Sequence, residues 1–391
     1  MSYNIMVKIF LEVASMKKLR IGLIGFGAMG KVHAFCVSNL KFYYTSLPFD
    51  AEIYGVCTTS YEKSQALAEQ FGFALAAKNE DELIYNDDID IIDICTPNIY
   101  HYETIKKALA AGKHIYCEKP LCVTAREAEE VAAIAKEKGL ICNIVFNNRN
   151  MSAVMKAKEL IDEGRLGRII SFRGAYLHNS CTDVNRPAGW KQNKDICGGG
   201  VLFDLGSHII DLIYMLCGEF SSVNGTSQIA FPSRKGADGS DWTTNADEAF
   251  YMTCRLKCGA VGTITASKLA VGTNDDLSFE IYGEKGSLKF SLMDPNFLYF
   301  YDGTKKSGAL GGECGYTAIE CVGRFPAPGG AFPAPKAPTD WLRGHVGGMY
   351  SFLDSVSSGL QGTPSFSDGA HVQRVMEAAY ASDRNKCEVY L

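Results

Sequence analysis

Apolar positions in the first part of the chain gather into short runs at 19–24, 52–57, 89–95, 114–117 and 141–146, which read as strands. Between them, 31–40, 61–71, 81–85, 102–111 and 125–138 carry apolar residues at helical spacing. Strands alternating with amphipathic helices imply right-handed crossovers and a parallel sheet. Residues 17–147 are therefore expected to form a doubly wound α/β domain.

After residue 147 the pattern changes. Helical periodicity is confined to 153–163 and 205–216, while 169–176, 249–258, 260–269, 278–282 and 287–291 read as strands, the last two joined by a hairpin turn at Gly283-Glu284-Lys285-Gly286. Consecutive strands without crossover helices predict an antiparallel sheet. Residues 148–391 are thus expected to be an α+β domain with an open, mainly antiparallel sheet, serving substrate binding and oligomerisation. The stretch 322–340, with Pro326, Pro328, Pro333, Pro335 and Pro338, reads as a long loop. Two helices, 346–358 and 368–382, close the chain.

Composition narrows the partners. The 391 residues are 47% hydrophobic and 21% charged, ordinary globular usage, and 39 Lys+Arg against 44 Asp+Glu leave a net charge of −5. No polybasic run stands out, so neither nucleic acid nor an anionic membrane is an expected partner. No uninterrupted apolar run reaches the length of a membrane span. The 14 cysteines include no Cys-x-x-Cys pair. The spacings Cys254/Cys258 and Cys117/Cys122 match no zinc ligand set, so no metal is expected. With no secretion signal, so many thiols suggest a reducing cytoplasm. Residues 1–15 read as an extension, Met16 being a natural alternative start.

Three segments carry chemistry. The first strand runs into Gly25-Phe26-Gly27-Ala28-Met29-Gly30 and then a helix, the context in which this glycine spacing holds a dinucleotide. Gly25 permits the turn, Gly27 lets backbone approach a pyrophosphate, and Gly30 allows helix to pack on strand; the phosphates would sit on the helix N-terminus. The domain reads as a Rossmann domain. Next, Lys119 of Cys117-Glu118-Lys119-Pro120 follows a strand end, where a ligand crevice opens. It is either a proton-relaying lysine of lowered pKa or a surface lysine pinned by its proline. Finally, Asp204 and His208 lie four apart behind Gly198-Gly199-Gly200, on one face of a helix. They form either a general base with its orienting carboxylate or a core histidine capped by an acid.

Together these pieces resemble the glucose–fructose oxidoreductase and inositol dehydrogenase (Gfo/Idh/MocA) family along nearly the whole chain. The matching stretches are the glycine turn at 25–30, Cys95-Thr96-Pro97-Asn98 with His101, Glu118-Lys119-Pro120, the glycine-led Asp204 and His208, and Asp368-Gly369. The resemblance implies that Lys119 is catalytic and that His208 is the acid/base with Asp204 as partner. It further implies that Thr96, Pro97 and Asn98 touch the nicotinamide ribose, with His101 and Glu118 also on the cofactor. The implied reaction moves a hydride between nicotinamide and a secondary alcohol of a sugar, glycoside or cyclitol such as inositol. Two other outcomes known in such families are a redox-neutral sugar enzyme that keeps its nicotinamide, and a non-catalytic nucleotide-binding sensor. The resemblance also implies a homodimer or homotetramer.

One departure bears on the cofactor. After the second strand the chain reads Cys57-Thr58-Thr59-Ser60, with no carboxylate for the ribose hydroxyls and only Lys63 as a nearby cation, so NAD and NADP both fit. Thr58 and Thr59 are expected at the cofactor. Tyr176, His178, Trp190 and Lys191, with Asn148 and Arg149 at the domain junction, are expected to line the substrate side.

Overall fold

A computed structural model of the chain describes residues 18–322, 327–329, 332 and 340–391. The expected extension at 1–15, the start at Met16 and most of the proline-rich loop lie outside the described residues. From the N-terminus run β1 (Lys18–Ile24), α1 (Ala28–Tyr43), β2 (Asp50–Cys57), α2 (Tyr61–Phe71), β3 (Leu75–Ala77), α3 (Asp81–Ile84), β4 (Ile91–Ile94), α4 (His101–Ala110), β5 (His114–Cys117), α5 (Ala125–Glu137) and β6 (Cys142–Ile144). The six strands pair in the order β3-β2-β1-β4-β5-β6, and every pairing is parallel. All four residues of β4 are buried because helices cover both faces. The order reverses between β1 and β4, which opens a crevice at the carboxyl ends of those strands.

A short turn at Asn147–Asn150 leads to α6 (Ser152–Asp162), β7 (Ile169–Leu177), α7 (Lys194–Cys197) and α8 (Ser207–Cys217). Then follow β8 (Phe220–Gln228), β9 (Ser233–Lys235), β10 (Asp241–Thr243), β11 (Ala249–Leu256), β12 (Val261–Ser267), β13 (Asp276–Gly283), β14 (Gly286–Ser291), β15 (Phe297–Asp302) and β16 (Tyr316–Glu320). The chain closes with α9 (Trp341–Ser358), α10 (Phe366–Asn385) and β17 (Val389–Tyr390). Nine strands form one sheet, β16-β15-β14-β13-β7-β12-β11-β8-β17, antiparallel throughout except that β12 runs parallel to β7. In β11, buried and exposed residues alternate from Phe250 to Leu256, as expected of a sheet covered on one face.

Two expectations change. Sequence pattern missed β8, β15, β16 and the short β17 of this sheet, and the separate β9–β10 pair: the segment FSSVNGTSQ of β8 has loop composition, and its alternation is imposed by α10 packed against it. The proposed unit 148–391 does not hold α9, whose Val346, Met349, Phe352 and Leu353 share a core with Leu19, Ile21 and Leu23 of β1. The stretch Lys194–Cys217 has the length and mean hydropathy of a membrane span, but Lys194, Asp195, Asp204 and Asp211 interrupt it, in keeping with the sequence reading, and most of it is buried inside the fold. The 14 cysteines are all free thiols.

Candidate active site

The crevice holds a cavity of about 1060 Å³. Its floor is the turn from β1 into α1. Gly25 has φ +94°, and a Cβ there would stand 2.5 Å from the Cys95 carbonyl oxygen. A Cβ on Gly30 would lie 2.2 Å from the Gly25 oxygen, whereas one on Gly27 would meet nothing within 4 Å. Gly25 and Gly30 thus hold the turn tight, and Gly27 faces open space. Gly27 caps α1 without a side-chain hydrogen bond, and the first turn of α1 contains no acidic residue. Its amide N–H groups and dipole are left to an anion from outside the chain. These residues fit a dinucleotide pyrophosphate.

Phe26, Ala28, Met29, Thr58, Thr59 and Lys63 continue the wall. Thr96, Pro97 and Asn98 line it further on, and the Asn98 amide donates to the Cys197 carbonyl at 2.8 Å, tying this loop to the second domain. Glu80 also borders the cavity, but its carboxylate is occupied by the Thr104 hydroxyl at 2.7 Å and Lys107 at 2.8 Å.

Opposite the cradle, Lys119 and Asp204 meet. The Lys119 ammonium donates to the Asp204 carbonyl oxygen at 2.6 Å and to Oδ1 at 3.2 Å. Lys191 reaches Oδ1 at 2.8 Å, and Lys268, at the start of the loop after β12, reaches Oδ2 at 2.9 Å. Burial pushes the Asp204 carboxyl up, but the ammonium groups of Lys268, Lys119 and Lys191 outweigh it and hold the acid well below its usual range. Lys119 is lowered, because burial and the Lys191 charge prevail over Asp204. One carboxylate thus serves three lysines, and Lys119 is the one whose proton is loosened.

His208 sits in the same wall with Tyr176, the two rings packed edge-on at 5.8 Å. Burial and the Lys119 charge hold its pKa well below 6.5, so it is neutral at physiological pH. Its Nδ1 faces the Asn148 amide at 3.3 Å, and Nε2 has no partner among the described residues. Asp204 and His208 are therefore not the hydrogen-bonded pair the spacing suggested. Asp204 falls in a π-helical turn, Leu202–Gly206, just before α8 begins at Ser207. The extra residue in that turn sends the carboxylate to the lysines rather than to the imidazole.

Other expectations are corrected by geometry. His101 is wholly buried, with Nδ1 on the Pro120 carbonyl at 3.0 Å and Nε2 on the Thr96 carbonyl at 2.9 Å. It clamps the two cavity loops together from behind. Arg149 does not face the cavity either: it donates to Asp211 at 2.8 and 2.6 Å and to Asp368 at 3.3 Å. Asn148 stands behind His208 rather than on the cavity wall. Tyr176 and His178 share Asp275, each at 2.7 Å, and Trp190 lies half-exposed at the rim.

Several residues were not anticipated. Lys268 and His345 line the cavity, yet one directly follows an ordinary strand and the other lies in a helix near the end of the chain. Behind Glu118, His33 is held between Asp93 at 2.9 Å and Glu118 at 3.2 Å, with the Cys95 thiol at 3.2 Å. Burial opposes the Glu118 charge, but His33 holds that carboxyl down at about 2. The second Glu118 oxygen accepts from the Lys119 backbone N–H at 3.1 Å. Glu118 therefore fixes the strand end that presents Lys119.

Comparison with known proteins gives the family. A model described as an oxidoreductase family with an NAD-binding Rossmann fold matches residues 19–146, and a Gfo/Idh/MocA C-terminal domain model matches 154–289. Levoglucosan dehydrogenase of Pseudarthrobacter phenanthrenivorans is 32% identical over 380 residues, covering 94% of this chain and 96% of that protein. Glucose-6-phosphate 3-dehydrogenase of Bacillus subtilis is 27% identical over 369 residues, covering 94% and 97%. The solved structure of a levoglucosan dehydrogenase in complex with NADH and levoglucosan aligns with a TM-score of 0.90 at 31% identity, over 96% of this chain and 99% of that one. The chain belongs to the Gfo/Idh/MocA family of NAD-binding oxidoreductases.

Proposed function

We propose that the protein moves a hydride between a nicotinamide dinucleotide and a secondary alcohol of a sugar, glycoside or cyclitol. The observation that carries this reading is that the glycine cradle, Lys119 and His208 open onto one cavity. Relatives named as dehydrogenases of levoglucosan and of glucose 6-phosphate support the substrate class. Gly25 to Met29 would hold the pyrophosphate, and Thr58, Thr59 and Lys63 the adenosine side, where the end of β2 supplies no carboxylate and both NAD and NADP fit. When bound, the nicotinamide supplies the hydride acceptor in oxidation and the donor in reduction.

The chain's own groups handle the proton. His208 Nε2 takes the hydroxyl proton of the substrate as the carbinol carbon gives up its hydride. That step needs the tautomer protonated at Nδ1; as placed, the Asn148 amide nitrogen faces Nδ1, so the amide has to make a half-turn, giving up the long 3.5 Å contact from the Asn147 amide to its oxygen, before it can accept the Nδ1 proton. Lys119 uses two of its three N–H donors on Asp204 and aims the third at the oxygen developing negative charge. Lys191 and Lys268 keep Asp204 ionised and in place.

The test is substitution. Lys119→Ala and His208→Ala are expected to lower turnover by about 100-fold or more while NADH binding, read by fluorescence, is retained. Turnover like that of the unmodified protein in either variant rejects the assignment. The same reading supports self-association through the outer face of the nine-stranded sheet, where Tyr251 and Val261 are 46% and 41% exposed, and a cytosolic, reducing setting for the thiols. Light scattering is expected to return a dimer or tetramer mass at micromolar concentration; a monomer mass rejects the oligomer.

A further inference from the structure

Helix α9 approaches the first sheet along a glycine face. A Cβ on Gly344 would stand 3.0 Å from the Asn147 carbonyl oxygen, and one on Gly348 2.9 Å from the Tyr116 hydroxyl. Larger residues at these positions would hold the helix away. The close seating brings Trp341 and His345 into the cavity wall. His345 is 3% exposed, and neither ring nitrogen has a hydrogen-bond partner among the described residues. Trp341 stands edge-on over it, ring centroids 4.1 Å apart.

Two buried polar atoms without partners cost stability unless a ligand completes them. Burial lowers the imidazole, Glu118 pulls it up, and the charges of His33 and Lys119 lower it again, leaving a pKa of about 3. The ring is therefore neutral and offers one donor and one acceptor. A primary amide offers the complementary pair, whereas a phosphate or carboxylate has no donor to give. The electrostatic neighbours of His345 are Glu118 and Lys119, at the reactive end of the cavity, and His33, which reaches Glu118 from α1 at 3.2 Å.

We propose that His345 hydrogen-bonds the carboxamide of a bound nicotinamide and thereby orients the ring. The proposal rests on the dinucleotide reading above and adds a cofactor contact from a helix at the far end of the chain. It is tested by binding, not turnover. NADH affinity is measured by fluorescence, and the affinity of ADP-ribose, which lacks the nicotinamide, by calorimetry. His345→Phe is expected to weaken NADH about 5- to 10-fold and to leave ADP-ribose unchanged. His345→Gln, which keeps a donor and an acceptor, is expected to recover most of the loss. The dinucleotide whose carboxamide is replaced by an acetyl group is expected to bind the unmodified protein several-fold more weakly than NAD, and the difference vanishes in His345→Phe. Unchanged NADH affinity, or equal losses for NADH and ADP-ribose, overturns the proposal. If the Phe variant does not fold, equal binding of the acetyl analogue and NAD by the unmodified protein overturns it. Failure of the unmodified protein to bind either NADH or ADP-ribose overturns the dinucleotide reading beneath it.

Discussion

His208 and Glu118 show how single residues at the site are set by what surrounds them. His208 is buried beside the Lys119 charge and stays neutral well below 6.5; Lys119 is itself lowered from 10.5 by burial. For the pH profile this places the acid limb of kcat/KM below about pH 6.5 and the alkaline limb below about 10.5. A profile whose acid limb lies above pH 7 contradicts the assignment of His208. Stability follows the same groups. The unfolded chain takes protons at His208, His101 and His345 below about 6.5, where the folded protein resists them, so it binds more protons than the native state and stability falls with falling pH. Glu118, held down at about 2, adds a second loss between 4.5 and 2. His33, raised by Asp93 despite its burial, acts oppositely: its contribution is complete below 6.5 and disappears only as the pH rises past its folded value. Thermal melts are expected to show a falling Tm from pH 7 to 4.5, with a shallower slope in His345→Phe; an equal slope in the two proteins contradicts a buried neutral His345.

At the scale of elements, the turn between β1 and α1 decides whether the cradle forms. Gly30 lies inside α1, where Ala would gain about 1 kcal/mol of helix propensity. Its Cβ would nevertheless come within 2.2 Å of the Gly25 backbone oxygen, an overlap that costs roughly 1–3 kcal/mol to relieve. Steric overlap wins over propensity. Gly30→Ala is expected to lower the Tm and weaken NADH binding together, and a variant with a raised Tm and full affinity would show that the turn is looser than described. The glycine turn and the strand end at Lys119 were legible because each joins a characteristic spacing to a fixed place in a βα unit. The π-helical turn at Leu202–Gly206 was not. Spacing four apart implies a shared face only on a regular α-helix, so Asp204 was assigned to the wrong partner.

Across the whole molecule, alternating strands and helices made the parallel sheet readable almost element by element, short β3 excepted. The second sheet was only partly readable. β8 is built from Ser, Gly and Asn, and it is a strand because α10 and β11 hold it there. Nor does chain order say that α9 returns to the first domain, so Trp341 and His345 could not be placed at the cavity from sequence. His101 and Arg149 carry the right chemistry for a site, yet they serve the scaffold, one clamping two loops and the other held by Asp211 and Asp368. The central claim is that cradle, Lys119 and His208 act together on a carbohydrate hydroxyl. The most direct measurement is nicotinamide absorbance with NAD and NADP against a panel of inositols, free sugars and glycosides. Steady reduction of added cofactor with one of these classes is the predicted result; no reduction with any of them, by a protein that binds NADH, would contradict it.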